Sequence, residues 1–93
     1  MRNQSMEIPE HLQPTWNAVR EELHEASITL NAAESRHSRA ILDRIKLADT
    51  SSPEWEIVTK ELDEAKIELQ KAYRRYHAVI VARQALSDTL NSV

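Results

Sequence analysis

Hydrophobic and small residues recur along the chain at alternating steps of three and four positions, in two long series. The first series is Trp16, Val19, Leu23, Ala26, Leu30, Ala33, His37, Ala40, Arg44 and Leu47. The second series is Trp55, Val58, Leu62, Ala65, Leu69, Ala72, Tyr76, Val79, Arg83 and Leu86. Such steps place each series on one stripe of an α-helix. The pattern predicts two long helices that meet along these stripes, and we call the paired stripes the seam.

The two series match each other when the second is read backwards. Paired positions then always sum to 102, from Trp16 opposite Leu86 to Leu47 opposite Trp55. Around the middle, large faces small at successive pairs: Tyr76 with Ala26, Leu30 with Ala72, Leu69 with Ala33, His37 with Ala65, and Leu62 with Ala40. Small residues let two helices approach closely, and the larger partners fill the space. We therefore predict an all-α fold, in which two long antiparallel helices form an alanine-rich helical hairpin.

Prolines mark the expected ends of the helices. Pro14 suits the first turn of a helix, and Ser52 followed by Pro53 is a typical helix start. We predict a flexible N-terminal arm over 1–13 and a helical hairpin over 14–93, with helices over 14–48 and 53–90 and a loop over 49–52. The absence of glycine agrees with this prediction, because tight turns between strands usually need glycine.

The charges favour the same antiparallel arrangement. Both helices are acidic near their beginning and basic near their end, so the hairpin brings opposite charges together. The register sets Glu34 beside Lys66 and Arg36 beside Glu68, whereas Asp43 faces Glu61 unfavourably. Exposed pairs contribute only about 0.2–0.5 kcal/mol each, so they select the orientation of the helices more than they stabilise it.

Apolar residues also lie outside the seam, and most of them fall on one side of it. We call this set the apolar flank, and it consists of Ile28, Ile41, Leu42, Ile45, Tyr73, Ile80 and Val81. A hairpin of this size buries little surface on its own, and exposed apolar patches mark contacts with partners. We predict that the flank is an interface, through which two hairpins form a homodimeric four-helix bundle.

The composition narrows the classes of function. A net charge of −3, with 29% charged residues of both signs, makes nucleic acid an unlikely partner, since a basic excess usually supplies that affinity. There is no cysteine, which fits a reducing cytoplasm. The sequence also lacks an apolar run of the length that spans a membrane. We expect a cytoplasmic protein without a membrane segment.

A few residues invite a chemical role. Glu21 and His24 have the Glu-x-x-His spacing of di-iron bundles, but the motif occurs once and lies off the seam. His37 lies in the seam, where it is either a pH-sensitive group or a ring that covers the edge. Arg44 and Arg83 also occupy seam positions and either extend to solvent or pair with acids. We predict no enzyme activity, catalytic residue, cofactor or metal site.

The predicted function is a non-enzymatic protein–protein interaction module, a small dimeric hairpin that acts as an adaptor, chaperone or inhibitor. The chain also resembles the ESAT-6/WXG100 family in size, two-helix layout and lack of cysteine, with Trp55 near the loop, although it has no Trp-x-Gly. That resemblance implies a secreted hairpin protein. A dimeric nucleic-acid-associated regulator is a further alternative, because residues 71–77 combine basic and aromatic side chains.

Overall fold

The chain folds into two long helices that lie side by side. The computed structural model describes residues 8–47 and 52–92. A single turn of 3-10 helix, Glu10–Leu12, leads into helix α1, Gln13–Lys46, and helix α2 is Pro53–Asn91. The two helices pack against each other and the described residues contain no strand. The predicted all-α helical hairpin is confirmed, while the dimer and its four-helix bundle stay predictions.

The helix ends follow local backbone chemistry. Pro14 lies in the first turn of α1, where its missing N–H costs no hydrogen bond. At the other end Leu47 has extended backbone angles and ends α1 two residues before the predicted limit at 48. Ser52 caps α2 with an extended backbone, and its carbonyl accepts a hydrogen bond from the Trp55 N–H at 3.0 Å.

The segment predicted as a flexible arm is described only in part. Residues 1–7 lie outside the described residues, as do 48–51, which comprise the predicted last residue of the first helix and most of the predicted loop. The 3-10 turn occupies positions 10–12, where the Leu12 N–H donates to the Pro9 carbonyl at 2.9 Å. This turn contacts α1, and Ile8 before it is half-buried. The described part of the arm therefore packs onto the hairpin.

The core is the seam that the periodicity predicts. Its buried residues, all of which belong to the two series, are Ala26, Leu30, Ala33, Ala40, Ala65, Ala72 and Leu86. Leu30, Ala33 and Ala72 form one cluster, onto which Leu69 and Tyr76 pack. The pairs Leu30 with Ala72 and Ala33 with Leu69 have the sum of 102 that the sequence predicts. Most of the core is alanine, so the helices approach closely and the core is thin.

The hairpin is long and narrow. Its extents are 63 × 24 × 17 Å and its radius of gyration is 20.1 Å, compared with about 12 Å for a compact domain of this length. Neither α1 nor α2, over its described length, has the apolar stretch that a membrane crossing needs. The cytoplasmic location stays a prediction.

Candidate functional site

One side of the hairpin is held by ion pairs centred on Arg36. Its Nε lies 2.7 Å from Glu61 Oε2, and its Nη1 lies 2.7 Å from Glu68 Oε1. Glu64 lies 3.8 Å away on the same side. These hydrogen bonds lower the pKa of the Glu61 carboxyl and raise the pKa of the Arg36 guanidinium. The predicted neighbours Arg36 and Glu68 do meet, and the carboxylate of Glu61, which the sequence set against Asp43, binds Arg36.

A second group of ion pairs continues this side towards the open end of the hairpin. Arg75 Nη2 lies 3.2 Å from Glu22 Oε1 and 3.5 Å from Glu25 Oε1. Arg75 lies two seven-residue repeats after Glu61 on α2, and Arg36 lies two repeats after Glu22 on α1. Residues separated by whole repeats share one side of a helix, so all four lie on the same side of the seam. We call this surface the ion-paired side. One cation of the basic 71–77 segment is thus neutralised within the chain.

The apolar flank lies on the other side of the seam. Ile41 and Ile80 each follow a seam residue directly, whereas Arg36 and Arg75 each precede one. On an α-helix these two placements project to opposite sides of the stripe. Six flank residues are exposed, from 38% for Ile41 to 71% for Ile45, while Ile80 is half-buried. The flank is therefore an accessible aliphatic surface, and its role as an interface stays a prediction.

Tyr73 makes the polar contact on the flank. Its hydroxyl donates a hydrogen bond to Glu34 Oε2 at 2.9 Å. The negative charge of Glu34 favours the protonated phenol, so the pKa of Tyr73 is raised. Glu34 thereby contacts Tyr73, whereas the sequence had set it beside Lys66. The tyrosine ring is fixed across both helices and remains about half exposed.

The loop end contains a contact that the sequence analysis missed. The Arg44 guanidinium stacks over the Trp55 ring at 4.7 Å from its centre, and among the described residues it forms no ion pair with an acid. In the 102 register Trp55 faces Leu47, which lies one helical turn from Arg44. This proximity could have predicted the contact from the sequence. Cations stacked on aromatic rings contribute about 0.5–1 kcal/mol at exposed sites. The stack helps to hold the two helices together next to the loop.

The open end contains a cleft that we call the open-end cleft. Its volume is about 570 Å³. Its apolar lining comes from Ile8, Trp16, Val19, Leu23 and Leu90. Its polar lining comes from Arg20, His24, Arg83, Ser87 and Asn91. The sequence placed Arg83 in the seam but did not predict that it shares a cleft with Arg20 and Ile8. The position of Ile8 could not be predicted, because the arm has no periodicity.

The remaining candidate groups stay on the surface. Glu21, His24 and His77 are exposed, and His37 is half-buried at its seam position. In the part of the chain that the structure describes, no three histidine, aspartate or glutamate side chains form a group that could hold a metal ion. His24 instead lines the open-end cleft.

A comparison with protein families, curated proteins and solved structures finds no match to the chain.

Three surfaces distinguish the molecule. One side of the hairpin is held by ion pairs, the opposite side carries the apolar flank, and the open end has a cleft with two arginines.

Proposed function

We propose that the protein is a non-enzymatic protein–protein interaction module that works as a homodimer of hairpins. In the proposed dimer, two copies pack through their apolar flanks and form a four-helix bundle. The observation that carries the proposal is the exposure of the flank. The flank residues with more than half of their surface accessible are Ile28, Leu42, Ile45 and Val81.

The length of the flank supports packing along the side of the hairpin. In the 102 register Val81 is level with Glu21, and Ile45 lies 24 residues further along α1. At about 1.5 Å per residue, the flank extends over roughly 36 Å. A patch of this length suits two hairpins that lie side by side, with contacts distributed over several helical turns.

The accessible surface of the hairpin leaves room for such a contact. It amounts to 7,072 Å², whereas a compact monomer of 10.7 kDa exposes about 5,500 Å². The excess of about 1,600 Å² is larger than the roughly 800 Å² that each partner buries in a standard interface. A second copy would therefore restore the burial that an isolated hairpin lacks.

A second copy suits the flank because the two ends of the flank resemble each other. Ile41, Leu42 and Ile45 lie towards the loop, and Ile80 and Val81 lie towards the open end. A two-fold axis through the middle of the flank places one end against the other, as in a symmetric dimer. Aliphatic side chains of the two ends then meet, and the Glu34 carboxylate near the middle of the flank keeps the Tyr73 hydroxyl as its hydrogen-bond partner.

The proposed activity is binding to a further protein, as an adaptor, chaperone or inhibitor. In a bundle formed through the apolar flanks, the ion-paired sides remain on the outside and present mixed charge. Charges on an accessible surface contribute to the specificity of binding more than to its affinity, because a partner needs complementary charges.

The double variant Leu42→Glu, Val81→Glu tests the proposal. Both side chains are more than half exposed in the hairpin, so the new carboxylates disturb the flank and not the seam. Ile80 is a poorer choice, because it is half-buried by the hairpin itself. The matched control is Ala32→Glu, Ala85→Glu, which puts the same charges at exposed positions of both helices outside the flank.

Light scattering and circular dichroism on the same samples give the result. We expect the parent and the control to have the dimer mass, twice 10.7 kDa. The flank variant should have the monomer mass and a weaker helical signal, because folding and association are coupled. A flank variant that keeps the parent mass would show that the flank is not the interface.

A further inference from the structure

The open-end cleft is walled by three segments of the chain. Helix α1 contributes Trp16 and Leu23, helix α2 contributes Leu90, and Ile8 comes from the segment before the 3-10 turn. Its volume of about 570 Å³ lies within the range of 300–1,000 Å³ that is usual for sites of small molecules. An apolar floor with few polar groups at its rim is the usual composition of such sites.

The charge of the cleft is positive although the chain as a whole is negative. Arg20 and Arg83 line it, and none of the described carboxylates does. Among the described residues neither guanidinium takes part in an ion pair, whereas Arg36 and Arg75 each contact at least two carboxylates. Both arginines are exposed, so their donors are accessible to solvent and to a ligand.

The two arginines are placed to act on one ligand group. In the 102 register Arg20 faces Ala82, so Arg83 is level with Arg20 across the seam. Guanidinium groups present paired N–H donors that match the geometry of a carboxylate. Ser87 and Asn91 follow Arg83 along α2 at helical spacing and line the same cleft, where they offer neutral hydrogen-bonding groups.

We propose that the open-end cleft binds a small amphipathic carboxylate, such as a fatty acid of medium chain length. The apolar chain of the ligand lies on Trp16, Leu23 and Leu90, and its carboxylate lies between Arg20 and Arg83. Burial of the chain supplies most of the affinity, and the arginines select a negative head group. The cleft shares no residue with the apolar flank, although it lies at the open end on the same side of the seam, because Arg20 and Ser87 each directly follow a seam residue.

Trp16 makes the proposal directly measurable. The chain has two tryptophans, and Trp55 is near the loop, far from the cleft. In a full-length Trp55→Phe protein, which keeps an aromatic ring beside Arg44, the fluorescence reports on the cleft alone. Titration with dodecanoate below its micelle concentration should give a saturable change in Trp16 emission. Dodecyltrimethylammonium, with the same chain and the opposite charge, should bind at least tenfold more weakly.

Variants of the arginines separate recognition from adsorption. Arg20→Gln and Arg83→Gln should each weaken dodecanoate binding about tenfold or more, and Arg39→Gln, an exposed arginine outside the cleft, should leave it unchanged. Circular dichroism checks that each variant stays helical. If a glutamine variant fails to fold, Arg20→Lys and Arg83→Lys keep the charge, and their loss of the paired donors should still weaken binding.

The outcomes against the proposal are distinct. Equal binding of both probes, or of the parent and the glutamine variants, would mean adsorption to apolar surface and would overturn it. If dodecanoate does not bind and the glutamine variants change the mass in light scattering, the cleft is occupied by a second copy and the ligand proposal is wrong. Unchanged dodecanoate binding in the monomeric Leu42→Glu, Val81→Glu protein would support the site as independent of the dimer.

Discussion

The substitution Ala33→Leu tests the close packing of the seam, because it enlarges the side chain without adding a polar group. Ala33 is 4% exposed and belongs to the cluster with Leu30 and Ala72, onto which Leu69 packs. The substitution replaces a methyl group with an isobutyl group in a space that Leu69 already fills. Overpacking of a close-packed core costs about 1–3 kcal/mol, because side chains leave their preferred rotamers or the helices move apart. We expect the free energy of unfolding of Ala33→Leu to fall by this amount.

Thermal unfolding followed by circular dichroism measures the effect. For a domain of 60–100 residues, 1 kcal/mol shifts the Tm by about 4–8 °C, so a decrease of about 4–24 °C is expected. All samples need the same protein concentration, because a coupled dimer has a Tm that depends on concentration. Ala65→Leu, at a fully buried position of α2, should behave in the same way.

The matched control is the neighbouring residue. Ala32 is exposed, and leucine and alanine are both strong helix formers, so Ala32→Leu should change the Tm by no more than a few degrees. If Ala32→Leu and Ala33→Leu lower the Tm equally, the seam has been assigned to the wrong side of α1. A higher Tm for Ala33→Leu would mean that the core has unfilled space and is not closely packed.

Two further predictions concern the polar contacts. Arg36→Gln should lower the Tm at neutral pH and low salt, with a smaller loss in 1 M salt. Because Glu61 has a folded pKa below its unfolded value of about 4.3, this loss should be present above that pH and shrink as the pH falls through the folded pKa. An equal loss at all pH values in thermal melts would contradict the assigned pairing. Tyr73 has a folded pKa above its ordinary value of about 10, so its hydrogen bond stabilises below that pH and is lost as the pH rises through the folded pKa. In ¹³C NMR titrations Tyr73 should ionise at lower pH in Glu34→Gln than in the parent, and identical titrations would refute the contact.

The sequence predicts the seam because its information is periodic. Every buried residue that the structure describes belongs to one of the two series, and the cluster around Leu30 and Ala72 has the predicted register. Seven-residue repeats specify which side of a helix is buried, and the alternation of large and small residues specifies which positions meet. The Arg36–Glu68 pair followed from the same register.

Contacts that depend on long side chains were harder to predict. Arg36 contacts carboxylates spread over two turns of α2, and Arg75 contacts two that lie about one turn apart on α1, so a register alone does not identify the partner. The long side chain of Arg44 likewise has several groups within reach, and it stacks on the face of Trp55. The end of α1 at Lys46 lies two residues before the predicted boundary. The prediction missed it because helix ends have no periodic signal in the sequence.

The open-end cleft could not be predicted from periodicity. Ile8 belongs to a segment without a repeat, and its position against Trp16 and Leu90 depends on how the 3-10 turn directs the chain. Arg20 and Arg83 are ordinary charged residues in the sequence. Only the folded hairpin shows that both lie at one cleft without an acidic partner.

Sedimentation equilibrium of the unmodified protein over a wide range of concentrations, with helicity measured on the same samples, tests the proposed homodimer most directly. The account predicts a mass of twice 10.7 kDa at high concentration. On dilution the mass should decrease towards 10.7 kDa and helicity should fall with it, because the thin alanine core is stabilised by the second copy. A mass of 10.7 kDa at every concentration, with full helicity, would contradict the homodimer.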